Sequence, residues 1–452
     1  MALRQREVRM TDGSITGHLI KFALPLMAGN LFQQLYNTVD TWVVGNYVGN
    51  EAFSAVGSTG PVINMLIGFF IGLANGGGVV IAQYFGAKRD KEVHDAVHTG
   101  FMMTIVMSIF FAFAGLKMLP YVLDFMNTPA EVIPQSTAYL TIYFSGIAGM
   151  MLYNVGTGIL NAVGDTRRPF VFLVVSAVVN TILDLLFVIG FGMGVEGVAL
   201  ATVIAQWVSA VLVIVTLMRS DSCIKLIPKD LRLHWDMLRK IFRIGFPAAI
   251  QSSVTSFSNV FVQSYVNYFG ADFMSGWTAY SKIDQFALLP MQSLALASTT
   301  FVGQNLGVNN VDRAKKGVYT ALKISVTVTI LLMIPIMIFA GPLVGFFNPK
   351  PEVVAFGVLL LRWMSPFYVL CCFNQILGGA LRGSGNGKVP MVVMLFSFVL
   401  FRQAYLYIMA NFISNTVIPI ALAYPAGWLV CSAIMMVYFV KVPLGGHRVV
   451  ED

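Results

Sequence analysis

Charge is the scarcest property of this chain. Of its 452 residues only 11% are Asp, Glu, Lys or Arg, whereas 57% are hydrophobic. Soluble globular chains carry about a quarter charged residues, so that class is excluded. Cysteine is scarce as well. Cys371, Cys372 and Cys431 lie in apolar runs, Cys223 lies in a basic loop, and no CxxC pair occurs; neither a disulfide framework nor a zinc site is indicated. The histidines, His18, His94, His98, His234 and His447, fall at span ends, in loops or in the tail. An intramembrane hydrolase would need a buried His beside a nucleophile, or a metal pair, so an enzyme is not expected. The opening "MALRQREVRMTDGS" has no apolar core beside a small-residue cleavage site. It reads as a cytoplasmic tail, not a cleaved signal peptide. The glycines of "NGGGVV" around Gly77 lack a GKS/T ending, which argues for close helix packing and against a phosphate loop.

What is present is a succession of apolar runs, each long enough to span a hydrocarbon core of about 30 Å. They do not alternate apolar and polar residues as barrel strands do. The expected fold is an all-α membrane protein of twelve transmembrane helices, at about 17–48, 51–83, 93–119, 131–161, 167–191, 195–218, 238–268, 274–303, 312–341, 352–381, 388–411 and 416–440. Basic residues collect in alternate connections: Arg4, Arg6 and Arg9; Lys88, Arg89 and Lys91; Arg167 and Arg168; the stretch from Arg219 to Lys240; Arg313, Lys315 and Lys316; Arg382 and Lys388; Lys441 and Arg448. The positive-inside rule puts these connections and both termini in the cytoplasm. The net charge of +8 is thereby a topology signal, with some attraction to anionic lipid, and no nucleic-acid partner is expected.

The two halves repeat. "NYVGNEAFS" from Asn46 matches "NYFGADFMS" from Asn267, "QYFGAKRD" from Gln83 matches "QNLGVNNV" from Gln304, and "GDTRRP" from Gly164 matches "GNGKVP" from Gly385. These landmarks share one offset, 221 residues, and Pro25 pairs with Pro247 at one residue more. The expectation is two six-helix lobes related as parallel repeats, since an even number of spans returns the chain to the same side. The divisions expected are a cytoplasmic tail at 1–16, an N-terminal lobe at 17–218, a cytoplasmic loop at 219–237, a C-terminal lobe at 238–441 and a cytoplasmic tail at 442–452.

Against this apolar background three acids stand inside spans: Asp40, Asp184 and Asp284. A carboxylate at the centre of a spanning helix costs roughly 2.5–3.5 kcal/mol on insertion scales, so it faces an interior. At an offset of 221, Tyr405 stands opposite Asp184, and Phe261 or Val262 opposite Asp40. The N-terminal lobe therefore has two acids that its sister lacks. Asn180 and Asp184, four apart, share a helix face. Gln33, Tyr36, Asn37 and Asp40 form a polar stripe along the first helix, and Thr202 adds a hydroxyl on the sixth. Asp40, Asn180, Asp184 and Thr202 make a candidate site whose charge changes on loading, by sharing a proton or by holding a sodium ion. The plainer alternative is a set of buried hydrogen bonds that fix packing. Gln33, Tyr36, Asn37, Tyr139 and Asn154 are candidates for a substrate cavity. Lys282, Asp284 and Arg402 form a candidate polar group in the C-terminal lobe, with Arg402 or Arg362 as a partner for Asp284 and a structural or gating role expected.

These landmarks, with "FALPLMAGNLFQQLYNTVDTWVVG", "AQYFGAKR" after the second helix and "GDTRRP" after the fourth, resemble the multidrug and toxic compound extrusion (MATE) family from about residue 16 to 441. The likeness is strongest to the bacterial DinF-like branch. It implies that Asp40, Asn180, Asp184 and Thr202 form the coupling-cation site and that Pro25 permits the first helix to bend. Other members place a Glu on the seventh helix; here that helix reads "FPAAIQSSVTSFSNVFVQSYV", without an acid. The resemblance further implies an antiporter in the bacterial cytoplasmic membrane that exports cationic amphipathic drugs, driven by protons or sodium and without a cofactor. A monomer is expected. The competing reading is a lipid-linked sugar flippase of the same broad superfamily. Its phosphate-bearing substrate would want a basic cavity; Lys282 and Arg402 suit it, and the N-terminal acids do not.

Overall fold

The computed structural model describes residues 7–43, 47–48, 50–125 and 130–450, apart from the side chains of 37–42, 50–58, 61–62, 125 and 260. Among the described residues the secondary structure is helical, without strands. Twelve helical stretches follow one another: α1 Ile15–Val43, α2 Asn50–Gly86, α3 Asp90–Phe125, α4 Ile133–Ala162, α5 Arg167–Gly190, α6 Val195–Met218, α7 Trp235–Tyr268, α8 Ala271–Gly307, α9 Val311–Ile338, α10 Pro351–Gly383, α11 Lys388–Ile413 and α12 Val417–Lys441. A short helix, Ala340–Phe347, extends α9. Among the described residues ten are long and apolar enough to cross a membrane; α4 and α7, of 30 and 34 residues, have the length but a more polar composition.

Several helices depart from the regular period, at places that apolarity does not reveal. A 3₁₀ turn at Ser365–Phe367, carrying Pro366, interrupts α10; a proline removes one intrahelical donor and crowds the preceding turn. α5 ends in a π turn at Leu186–Gly190, and α11 contains π turns at Phe396–Phe401 and Met409–Ile413. α1, by contrast, runs on through Pro25.

The chain divides into two compact units. One holds Pro25–Gly245 and the chain as far as Arg9; the other holds Met10–Leu24 and the chain from Phe246 on. In the N-terminal unit α4 packs on α2, α3 and α6, and α5 packs on α6. In the C-terminal unit α10 packs on α8, α9 and α12, and α11 packs on α12. The packing thus repeats as the sequence does. So do the turns: Lys88 and Asn309 both have a φ of 57°, and Gly164 and Gly385 have φ of 86° and 93°. Both pairs stand at the offset of 221.

Each unit is tied by a terminal segment. The Val8 amide donates to the Val163 carbonyl at 2.9 Å. A Cβ on Gly164 would meet the Val8 carbonyl oxygen at 2.5 Å, so close approach and left-handed φ both require glycine there. In the C-terminal unit Gly385 lies equally close to the His447 backbone. The same unit holds the start of the chain. The Gln304 side chain accepts from the Met10 amide at 2.8 Å, and Arg313 donates to the carbonyls of Met10, Asp12 and Gly13.

Candidate functional site

α5 and α6 run antiparallel, and two observations give their register. Ser176 on α5 donates to the Ala205 carbonyl on α6 at 2.7 Å, and a Cβ on Gly197 would lie 3.1 Å from Cβ of Phe187. The paired numbers sum to nearly the same value, which sets Asn180 level with Thr202 and Asp184 level with Val198. The spacing of four carries Ser176, Asn180 and Asp184 along one face of α5. Asn180 is 2% and Asp184 0% exposed. Among the described residues the Asn180 amide makes no hydrogen bond. A buried amide left so costs about 1–3 kcal/mol, which suits a site that receives a ligand. Thr202 is half-buried, and its hydroxyl donates to the Val198 carbonyl at 2.9 Å; its oxygen keeps lone pairs for a further donor or a cation. Carboxylate, amide and hydroxyl oxygens are the donor set of a hard cation and equally of a proton-sharing pair. The side chains of Asp40 and Asn37 lie outside the described residues.

Beside this face packs an aromatic and methionine core: Phe70, Tyr139, Tyr143, Phe144, Met150 and Met151, with Val188, Val195 and Val198. Tyr139 is 7% exposed and stacks on Tyr143. Asn154 donates to the Met150 carbonyl of its own helix at 2.8 Å. Of the candidate cavity residues, Gln33, Tyr36 and Asn154 are half-buried and Tyr139 is built into the core. A cavity of about 550 Å³ in the C-terminal unit, between α9, α10 and α12, contains none of the candidates.

The C-terminal group is arranged differently from expectation. Lys282 and Arg362 are exposed. Asp284 accepts from Tyr368 and, at 3.4 Å, from Tyr280, while the two phenols lie 2.9 Å apart. Among the described residues Asp284 has no ion pair with Arg402 or Arg362. Arg402 is 3% exposed, lies 4.7 Å over the Tyr424 ring, and donates to Ser258 Oγ at 3.0 Å and Asn259 Oδ1 at 2.9 Å. Tyr424 packs on Trp428, and Trp428 on Tyr368. This aromatic wall links the surroundings of the guanidinium to those of the carboxylate without pairing the two. A desolvated cation–π contact contributes about 2 kcal/mol, less than the roughly 2.5–3.5 kcal/mol that a charge costs at mid-membrane. The tyrosine clamp had one legible sign, Tyr280 four residues before Asp284 on one helix face. The Tyr424 platform had none.

His94, His98 and Asp230 also come together, with ligand atoms within 4.8 Å. His98 Nδ1 lies 2.8 Å from the His94 carbonyl, and its Nε2 accepts from the Ile227 amide at 3.0 Å. Both nitrogens are thereby used. The cluster fastens the loop after α6 to the start of α3 and leaves no His98 lone pair for a metal.

The chain is similar to known proteins over nearly its full length. The family model described as MatE matches residues 25–186 and again 247–408. A relative from Bacillus subtilis, "Probable multidrug resistance protein YpnP", is 28% identical over 397 residues, 87% of this chain and 88% of the relative. "Probable multidrug resistance protein NorM" of Thermotoga maritima is 28% identical over 417 residues, 88% of this chain and 86% of that protein. Among solved structures, the "Outward-facing conformation of a multidrug resistance MATE family transporter of the MOP superfamily" is 23% identical, with a TM-score of 0.89, over 96% of this chain and 97% of that one. With the family model matched once in each half and the fold shared throughout, this chain belongs to the MatE family of multi-pass membrane transporters.

Proposed function

We propose that this protein is a cation-coupled antiporter that exports cationic amphipathic compounds by alternating access. Asp40, Asn180, Asp184 and Thr202 are its coupling-cation site. The observation that carries this reading is the pair Asn180 and Asp184, buried on one face of a membrane-crossing helix, with Asn180 level with Thr202 on the next. A carboxylate in that position has a use if its charge changes during the cycle. Loading from outside, by a proton or by sodium, would favour the conformation that releases substrate, because a ligand shifts an equilibrium only by its different affinity for two states. Relatives named as multidrug resistance and multidrug export proteins support the substrate class. Pro25, which leaves one α1 carbonyl without its helical donor, is where that helix would bend. In this reading the protein is a monomer of the bacterial cytoplasmic membrane with both termini inside, needs no cofactor, and is not an enzyme.

The experiment is efflux from reconstituted vesicles under separate proton and sodium gradients. Export of a cationic dye that follows one of the two gradients is the expected result. Failure of either gradient to move any of a broad panel of cationic dyes would sink the reading. Movement of a lipid-linked sugar in their place would put the flippase in its stead.

A further inference from the structure

The register between the repeats changes inside α11. From Pro169 to Val175 the sequence of buried, half-buried and exposed positions follows that from Pro390 to Phe396 at an offset of 221, with one position differing. From Val178 to Asp184 it follows that from Leu400 to Leu406 at an offset of 222, without exception. Between the two stretches lies the π turn Phe396–Phe401. A π turn accommodates one extra residue in a helix, which accounts for the step. Past the π turn, the counterpart of Asp184 is Leu406, not Tyr405, and both are 0% exposed. The counterpart of Asn180 is Arg402.

We propose that the C-terminal unit holds an oxyanion site centred on Arg402, made by the position that in the N-terminal unit belongs to the candidate cation site. Arg402 is 97% buried, and its Nε–H finds no acceptor among the described residues. No carboxylate forms an ion pair with it there. Its two hydrogen-bond partners, Ser258 and Asn259 on α7, are neutral, and Tyr424 supports the guanidinium from below. On the same face of α7 as Asn259, one helical turn before it, Thr255 Oγ1 also has no hydrogen-bond partner among the described residues. A guanidinium held in place by neutral groups, with a free N–H and the Ser258 hydroxyl beside it, matches the planar geometry of a carboxylate or a phosphate. The ligand is the anionic group of an amphipathic molecule. This goes beyond the export reading and rests on it only in taking that molecule as cargo.

The test is direct binding, independent of transport. Full-length protein in neutral detergent is titrated with 6-carboxyfluorescein, an amphipathic carboxylate, and with rhodamine 6G, a cation whose carboxyl is esterified. Inorganic phosphate is the competitor, against chloride at equal ionic strength. Wild type is expected to bind carboxyfluorescein saturably and to release it to phosphate more readily than to chloride. Arg402→Gln, which keeps an N–H donor toward Asn259, is expected to weaken the anionic dye at least tenfold and to shift rhodamine 6G less than twofold. Thermal melting checks the fold; if Arg402→Gln fails to fold, Arg402→Lys is expected to lower the ratio of anionic to cationic affinity at least threefold, because the planar fork is lost. Absence of saturable carboxyfluorescein binding to wild type overturns the proposal. So does equal loss of both dyes in the variants, the signature of a residue that only ties α7 to α11. Loss of gradient-driven efflux with these affinities intact would count against the export reading alone.

Discussion

Asp184→Asn separates a coupling carboxylate from a structural one, because the two roles predict opposite signs. The residue is fully buried, 0% exposed, on a membrane-crossing helix. An ionised carboxylate at mid-membrane costs roughly 2.5–3.5 kcal/mol on insertion scales. Asparagine has nearly the same shape and avoids the charge. If Asp184 is kept for its charge, the variant should fold at least as well as wild type, with a melting temperature unchanged or raised. If Asp184 is a hydrogen-bonding strut, the melting temperature should fall. Coupling behaves the other way. One coupling cation exchanged for one cationic dye moves no net charge, so the ion's own concentration gradient drives export: a tenfold ion gradient supplies about 1.4 kcal/mol and sustains a roughly tenfold dye gradient. Asn can neither release a proton nor offer sodium a negative charge, so the sustained ratio should fall to about one. The assay is dye distribution across everted vesicles under an imposed proton or sodium concentration gradient, with wild type and variant matched for expression. A variant that holds the wild-type ratio would refute the reasoning, whatever its melting temperature.

Asp40→Asn should abolish gradient-driven export in the same assay, and the double variant with Asp184→Asn should be little worse than either single, since residues acting as one unit are not additive; a clearly additive loss would show two separate sites. Asp284→Asn should retain substantial transport, because an amide oxygen still accepts from Tyr280 or Tyr368, at a cost of about 1–2 kcal/mol in stability; complete loss of transport at normal expression would move the coupling site to the C-terminal unit. Cys223, in the loop between α6 and α7, has its thiol pushed up to about 12, first by burial and then by Glu7 and Asp90. The thiolate is the reactive form, so maleimide labelling of the protein in detergent should be slow at pH 7 and keep rising with pH well beyond 9; a plateau near pH 9 would contradict that environment.

The twelve helices and their repetition could be read because both leave marks on composition. A spanning run must be apolar for about twenty residues, and a turn that needs a left-handed φ repeats its glycine, as Gly164 and Gly385 do. Asn180 and Asp184 were legible as a pair because a spacing of four means one helix face. The register of α11 was not. A π turn adds a residue without any particular residue type to announce it, so the single offset of 221 placed Tyr405 opposite Asp184. The partners of Asp284 were misjudged for a related reason. Opposite charges in one lobe suggest a pair, yet whether they meet depends on which aromatic rings stand between them, and Tyr424, Trp428 and Tyr368 are far apart along the chain.

The holding of Met10–Leu24 by the C-terminal unit bears on how the molecule is made. The Met10 amide and its Gln304 acceptor are separated by 294 residues, so the segment emerges early from the ribosome and must wait for most of the chain before its partners exist. The entropic cost of so large a loop grows only logarithmically, but the wait is long. A chain cut in the loop between α6 and α7 would therefore not yield two self-sufficient halves. The second fragment would lack residues 10–24, and Arg313 would face solvent where three carbonyls had accepted its hydrogen bonds.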